Sequence, residues 1–435
     1  MSGKIRASKA TPRLRFPEFR GTTGWNTEPM DQIYSFLRNN SLSRDRLNYE
    51  NGAVKNVHYG DIHTKFSALF DIGKERVPYI NDTEELPDVD SGDYCIEGDL
   101  ILADASEDTV DVGKSIEIIC LNGERLLSGQ HTILARQRKR ELVIGFAGHL
   151  FRSDPVRSQI QREAQGTKVY AISSTRLAKL KIDFPSDKKE QQKIADCLGS
   201  LDELIAAQGR KVEALKAHKR GLMQELFPRE GETSPRLRFP EFRDGPEWEE
   251  RKAEELFGNR AERGDASLPI YSVTMAEGLV RRSSLDRRID DLTDAEGNKR
   301  AHKHDIAYNM MRMWQGACGV AHQDCMVSPA YVILSPQAGV YSEFYAHLFK
   351  LPQMLRVFTS HSRGLTKDRL RLYYQDFSHI SLPVPHVLEQ QRIASCLSSL
   401  DTLIAAEAEK LETLKTHKKG LMQQLFPVTE EEGEK

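Results

Sequence analysis

One stretch of this chain occurs twice, and everything else has to be arranged around the pair. Residues 190–228 read EQQKIADCLGSLDELIAAQGRKVEALKAHKRGLMQELFP, residues 389–427 read EQQRIASCLSSLDTLIAAEAEKLETLKTHKKGLMQQLFP, and about 27 of 39 positions are identical. In the first copy Ile194, Leu198, Leu201, Ile205, Val212, Leu215, Leu222 and Leu226 recur at alternating four–three spacing. The second copy repeats this at Ile393, Leu397, Leu400, Ile404, Leu411, Leu414, Leu421 and Leu425. Only Gln208 and Lys219, and the matching Glu407 and Lys418, interrupt the series. A period of about 3.5 residues puts these side chains on one stripe of a helix, about 58 Å long at about 1.5 Å per residue. One such helix cannot bury its stripe alone, so the two copies are expected to pair as an antiparallel coiled coil. Separate packing of each helix on its own domain is the plainer alternative. Asp187 with Glu190 suits a capping box at the first helix, and Pro228 and Pro427 should end the two helices.

The duplication is wider than the helices. Pro12–Arg20 (PRLRFPEFR) recurs unchanged at Pro235–Arg243, and at the same spacing Trp25 matches Trp248. Between leader and helix the halves diverge but keep a skeleton. Gly98-Asp99-Leu100 leading to Val112-Gly113-Lys114 matches His304-Asp305-Ile306 leading to Cys318-Gly319-Val320, and Thr167-Lys168 matches Thr366-Lys367. Tyr94–Ala103, Ser115–Leu121, Thr132–Arg136 and Ala330–Ser335 read as strands, and Tyr341–Phe358 as a helix that Pro352 should split. The fold class is therefore α+β: two similar mixed domains separated by two long helices, with an internal pseudo-two-fold repeat. The expected boundaries are a leader (1–20), domain 1 (21–185), helix 1 (186–228), a linker with repeated leader (229–243), domain 2 (244–384), helix 2 (385–427) and an acidic tail (428–435).

Several function classes lack their residues. No apolar run approaches the roughly 18 residues of a membrane span, and six scattered cysteines without a CxxC pair fit a reducing cytoplasm. Gly113-Lys114-Ser115 resembles the end of a phosphate loop, but Asp108 stands where its first glycine belongs. Cys318, His322 and Cys325 lack a fourth zinc partner in metal-site spacing. There is no dinucleotide fingerprint, no nucleophile elbow and no methyltransferase Asn/Asp-Pro-Pro-aromatic tetrad, since Met310 and Met311 follow Asn309.

Two unlike domains alternating with near-identical helices that end Gly-Leu-Met-Gln-x-Leu-Phe-Pro, each behind an Arg-Phe-Pro-Glu-Phe leader, resemble the specificity (S) subunit of a type I restriction-modification enzyme. Asp305–Ala317 (DIAYNMMRMWQGA) with Val327–Tyr331 (VSPAY) is similar to one type of target-recognition domain in that family. The resemblance implies a non-catalytic subunit whose two target-recognition domains each read half of a split duplex DNA site. It implies helices that act as a spacer and dock two modification (methyltransferase) subunits, with restriction (motor-nuclease) subunits joining them. No cofactor is expected in this chain, S-adenosylmethionine belonging to the modification subunits. A self-contained modifying enzyme and a coiled-coil adaptor with two protein-binding domains are the competing classes.

Residue chemistry then proposes contacts. Lys168 and Lys367 occur in both domains, cannot discriminate two half-sites, and suit phosphate. Arg matches guanine and Gln adenine, which makes Gln130, His131, Arg136 and Arg176 candidates in domain 1, and Arg281, Arg282, Arg312, Gln315 and Arg363 in domain 2. Ile194, Leu198, Leu201, Ile205, Leu215 and Ile393, Leu397, Leu400, Ile404, Leu414 are the candidate spacer residues. The basic run Lys299–His304 suits phosphate or a solvated turn, and Trp314 is expected in the core. A net charge of −2 leaves DNA affinity to local patches, so the isolated chain should bind DNA weakly.

Overall fold

The apolar run Leu100–Ala103 takes the middle of a sheet, as a strand buried on both faces should. In this computed structural model, which describes residues 11–81, 92–275, 277–285 and 297–427, the domain-1 sheet runs β2 (Tyr34–Leu37), β6 (Thr132–Gln137), β4 (Leu100–Ala103), β5 (Ser115–Cys120), β3 (Leu69–Asp71). Its neighbours are antiparallel except β3 and β5. A separate antiparallel pair joins β1 (Asn26–Pro29) to β7 (Lys181–Phe184). Domain 2 repeats the plan with β9 (Phe257–Arg260), β12 (Tyr331–Pro336), β10 (Ile306–Asn309) and β11 (Cys318–Val320), and with β8 (Glu249–Lys252) on β13 (Ser381–Val384).

Strand register corrects the sequence alignment. Leu100 faces Glu117 as Ile306 faces Val320, so the counterpart of Cys318–Val320 is Ser115–Glu117, not Val112–Lys114. The loop before β5 is simply longer than its counterpart. Nor does a strand begin at Tyr94, because Gly98 has φ +93° and the Asp99 carboxylate accepts from the Ile96 N–H at 2.9 Å, forming a turn. Among the short helices are α1 (Phe146–Leu150) and α2 (Asp154–Glu163) in domain 1, and α4 (Ser342–Leu348) and α5 (Pro352–His361) in domain 2. Pro352 opens α5, where its missing N–H costs nothing.

The long helices are α3 (Lys188–Leu226) and α6 (Val387–Leu425). The chain divides into two units that do not coincide with its sequence halves: residues 1–208 with 410–435, and residues 209–409. In the first unit Ile194, Ala195 and Leu198 of α3 share a core with Leu425 and Phe426. In the second, Ile393, Ala394 and Leu397 of α6 share one with Leu226 and Phe227. Within each unit the start of one helix thus meets the end of the other, which is the antiparallel arrangement. Trp25 stacks edge-on to Phe146 and Phe426 with centroids 6.3 and 6.1 Å away. Trp248 meets Phe344 and Phe227 at 5.7 and 6.4 Å in the same way.

Three of the four polar interruptions of the stripe form ion pairs within units. Lys418 meets Asp202 in the first, and Lys219 meets Asp401 and Lys211 meets Glu407 in the second. Gln208 is buried. Each domain adds a buried histidine: His149 Nδ1 lies 3.9 Å from Asp202 with neither ring nitrogen hydrogen-bonded, and His347 Nε2 lies 3.3 Å from Ser398 Oγ. Burial, reinforced by Lys418 and Arg152, holds His149 down at about 3, and burial with Lys219 depresses His347. Ile194, Leu198, Ile393 and Leu397 are buried, whereas Leu201, Ile205, Leu215, Leu400, Ile404 and Leu414 stay half-exposed.

The repeated leader is explained by one contact made twice. Arg15 donates from Nε and Nη2 to the two oxygens of Glu190, both at 2.6 Å, and Trp25 Nε1 adds a longer bond at 3.4 Å. Arg238 grips Glu389 at 2.8 and 2.7 Å, with Trp248 Nε1 at 3.2 Å. These hydrogen bonds raise the pKa of each arginine. The expected capping box is therefore not formed: Asp187 Oδ1 accepts from the Lys189 N–H at 2.8 Å, but the Glu190 side chain turns to the leader. The next residue ties helix to domain. Gln191 accepts from the Val143 N–H at 2.9 Å and donates to the Pro185 carbonyl at 2.7 Å, and Gln390 does likewise with Tyr341 and Pro385 at 2.8 and 2.9 Å.

Candidate nucleic-acid interface

Each sheet has two unlike ends. At the end nearer the long helix, a buried aspartate closes the turn into the central strand. Asp99 is gripped by Arg136 from β6, with Nη2 at 2.7 Å, and Asp305 by Arg260 from β9, with Nε at 2.6 Å. The two arginines come from different strands of equivalent sheets, and Ser335, at the position matching Arg136, accepts from Arg260 at 2.8 Å. Arg136 also donates to the carbonyls of Gly92 and Tyr94 at 2.8 and 2.7 Å. This guanidinium is saturated by its own domain, so among the candidates Arg136 is a structural residue.

The opposite end of the domain-1 sheet gathers other candidates. Gln130 and His131 form the turn into β6, where His131 adopts φ +57° and its Nδ1 lies 3.3 Å from Asp104. The Asp104 N–H bonds the His131 carbonyl at 3.0 Å, and the Ile172 N–H bonds the Asp104 carbonyl at 2.8 Å. That last bond brings in the loop carrying exposed Lys168. Burial raises the Asp104 carboxyl, with His131 pulling it back. Tyr59 lies edge-on to His131 at 5.3 Å and to His63 at 5.8 Å, and His58 is depressed chiefly by burial. Sequence reasoning missed this aromatic–imidazole patch, since nothing in the spacing of Tyr59 and His63 points to His131. Arg176 is paired with Glu163 at 3.0 Å.

In domain 2 the same end carries exposed Arg312 and Gln315, which precede and close a 3-10 turn pinned by buried Met313. The Leu372 N–H donates to the Met310 carbonyl at 3.0 Å, which attaches the loop 363–371. A cavity of about 620 Å³ between them is lined by Met311, Arg363, Arg369, Arg371 and Tyr373. Arg363 is held by Asp376 at 2.7 Å, whereas Arg312, Arg369 and Arg371 have no side-chain ion pair among the described residues. Arg369 and Arg371 were overlooked although RGLTKDRLR is visibly basic. Arg281 is exposed at the end of a separate hairpin with half-buried Arg282 beside it. The side chain of Lys367 lies outside the described residues.

Two further expectations change. The run Lys299–His304 is internally neutralised: Arg300 pairs with Asp324 at 2.6 Å, His302 meets Glu262 at 2.7 Å, and Lys299 donates to the Tyr331 carbonyl at 2.7 Å. Trp314 is half-buried at the surface, donating to the Met311 carbonyl at 3.0 Å, because the turn it sits on projects from the sheet. Cys318 and Cys325 are buried thiols pushed up to about 11 and about 12, chiefly by desolvation. Among the described residues no cluster of three His, Cys, Asp or Glu side chains could hold a metal, and no helix is long and apolar enough to cross a membrane.

The geometry is thus that of two scaffolds with the same attachment and different free ends. Residues 64–217 and 248–416 match the type I restriction modification DNA specificity domain. Over 433 residues the chain is 22% identical to the putative type I restriction enzyme MjaX specificity subunit of Methanocaldococcus jannaschii, covering 92% of each. It is 23% identical over 290 residues to the MjaVIII specificity subunit of the same organism, covering 62% of this chain and 66% of that one. In fold it resembles the type I restriction-modification S subunit from M. genitalium, with a TM-score of 0.58, 15% identity, and coverage of 96% of this chain and 100% of that one. A chain from another solved type I R-M system gives a TM-score of 0.52 at 16% identity, covering 93% and 98%. Two family matches laid over two built domains make the assignment: the chain belongs to the type I restriction-modification DNA specificity family, as a two-domain subunit for DNA sequence recognition.

Proposed function

We propose that this chain reads a split, asymmetric duplex site, one half with each target-recognition domain, and does no covalent chemistry itself. The long helices set the gap between the half-sites and dock two modification subunits, which bind S-adenosylmethionine and methylate adenine. Restriction subunits complete the cleaving complex, and the assembly works in the cytoplasm. The observation that carries this is the division between what is duplicated and what is not. The Arg–Trp–Glu clamp and the glutamine tie are the same in both copies. The free ends present Gln130 and His131 in one domain and Arg312 and Gln315 in the other. Identical parts cannot tell two half-sites apart, so they serve attachment, and reading falls to the parts that differ. Two readers on paired helices must meet the duplex a fixed number of base pairs apart, because helical phase couples distance to orientation. The half-exposed Leu201, Ile205, Leu400 and Ile404 leave apolar surface for a docking partner.

The test is co-expression with the modification subunit in a methylation-free host, followed by mapping of methylated adenines. A split motif with a fixed unread gap is expected, and replacing residues 244–384 should change one half only. No methylation with a folded, S-adenosylmethionine-binding partner would favour an adaptor instead.

A further inference from the structure

Leu365 is 99% exposed, the most of any large hydrophobic side chain among the described residues. Burial cannot account for a leucine placed there, on a loop whose sequence also carries Arg363, Thr366, Arg369 and Arg371. The loop is built to hold that tip outward. Arg363 and Arg371 exchange two backbone hydrogen bonds of 2.9 Å, which close its base. Gly364 has φ +150°, and a Cβ there would lie 2.5 Å from the Arg369 carbonyl oxygen, so only glycine lets the chain cross at this point. The Leu372 N–H anchors the loop beside Met311 and Arg312.

Domain 1 makes the same device from different residues. Gln165 and Ala171 exchange bonds of 2.9 and 2.8 Å, and Gly166 has φ +137° with its Cβ position 1.8 Å from the Val169 oxygen. Exposed Lys168 and a 55%-exposed Val169 form the tip. The two domains therefore share a glycine-crossed loop that carries a Thr-Lys pair, with an exposed apolar side chain after that pair in one domain and before it in the other. An apolar side chain on a cation-framed loop is the equipment of proteins that unstack a base step.

We infer that Leu365, and Val169 in the first domain, are positioning residues that enter the base stack of the bound half-site and open the step where the modified adenine leaves the duplex. This rests on the DNA-reading function proposed above. Chemistry on a base requires it out of the stack, and the wedge offsets part of the unstacking cost. Arg369 and Arg371 hold the flanking phosphates, and Arg312 stays free for base edges.

The experiment uses the complex with modification subunits and duplexes carrying 2-aminopurine at either target adenine. For Leu365→Ala, fluorescence enhancement at the half-site read by residues 244–384 should fall about fivefold and methylation there about tenfold, with the other half unchanged. Val169→Ala should give the mirror result. An abasic site opposite the target, which removes much of the extrusion cost, should restore the Leu365→Ala rate to within about twofold of wild type, a rescue that a merely structural leucine would not show. Unchanged fluorescence in a variant complex whose wild-type parent methylates normally overturns the wedge. A wild-type complex that methylates neither half overturns the underlying reading instead. Weaker capture of the modification subunit by Leu365→Ala without DNA would make the tip a protein contact, and would also overturn it.

Discussion

Replacing Arg238 with Met should expose how strongly the domains depend on their clamps. Glu389 is buried and Arg238 largely covered, with side chains 1% and 11% exposed. The substitution leaves the Glu389 carboxylate with only the Trp248 N–H at 3.2 Å. The carbonyls of Gly245 and Pro246, which also accept from Arg238, lie in exposed contacts and can turn to water. Breaking a buried pair from one side costs about 3–5 kcal/mol. For a unit of this size each kcal/mol moves the midpoint by about 2–4 °C, so calorimetry should show a loss of about 6–20 °C. Arg238→Met with Glu389→Met removes the stranded charge, and the double variant should cost less than the single. Arg15→Met should repeat the result in the first unit, where the pair is 10% and 1% exposed. A single-variant cost below about 1 kcal/mol, or a double variant as costly as the two singles summed, would refute the clamp argument.

His149 is neutral in the folded chain because its pKa is depressed to about 3, so its contribution is full above the unfolded value of about 6.5 and is lost as pH falls through about 3. Between pH 6.5 and 5 it should cost the first unit about 2 kcal/mol, and His149→Leu should flatten that slope in denaturant titrations. Glu117 has the opposite sign. Burial raises it to about 7 against the Gly148 N–H at 2.6 Å, so stability is full below its unfolded value and falls as pH rises through about 7. Glu117→Gln should therefore stabilise at pH 8 by about 1–3 kcal/mol, read as a rise in urea midpoint. Arg312→Ala should relax discrimination at one base pair by about 1–3 kcal/mol in competition binding by the assembled complex. Lys168→Ala should weaken all sites alike and reduce the salt slope by about 1.

The helices, their ends and the two-domain plan were legible because a heptad stripe and a literal repeat are local signals. Partners across the fold were not. Arg15, Trp25 and Glu190 recur together in both copies, and polar residues duplicated at such distances could have been read as touching one another. The packing of Phe227 against Trp248, and of Phe426 against Trp25, is invisible to spacing, which carries no record of which helix end reaches which core. Arg136 was misjudged for a related reason. Its type suits guanine, but a buried aspartate at the end of a central strand claims a guanidinium first. Domain 2 meets the same demand from Arg260, so no positional match between the domains revealed it. The free ends of the sheets were partly legible, since Gln130, His131, Arg312 and Gln315 sit at turns beside strands that the sequence pattern located.

The two cores accept interchangeable keystones. Leu226–Phe227 and Leu425–Phe426 present the same pair of side chains to equivalent tryptophans, and the leaders that grip the helices are letter-for-letter alike. Genes that recombine within these repeats would deliver an entire foreign recognition surface onto a foundation that already fits it. Novel targets could then arise by cassette exchange rather than by gradual repacking, and the sameness of the anchoring parts is what makes such inheritance of whole specificities mechanically cheap.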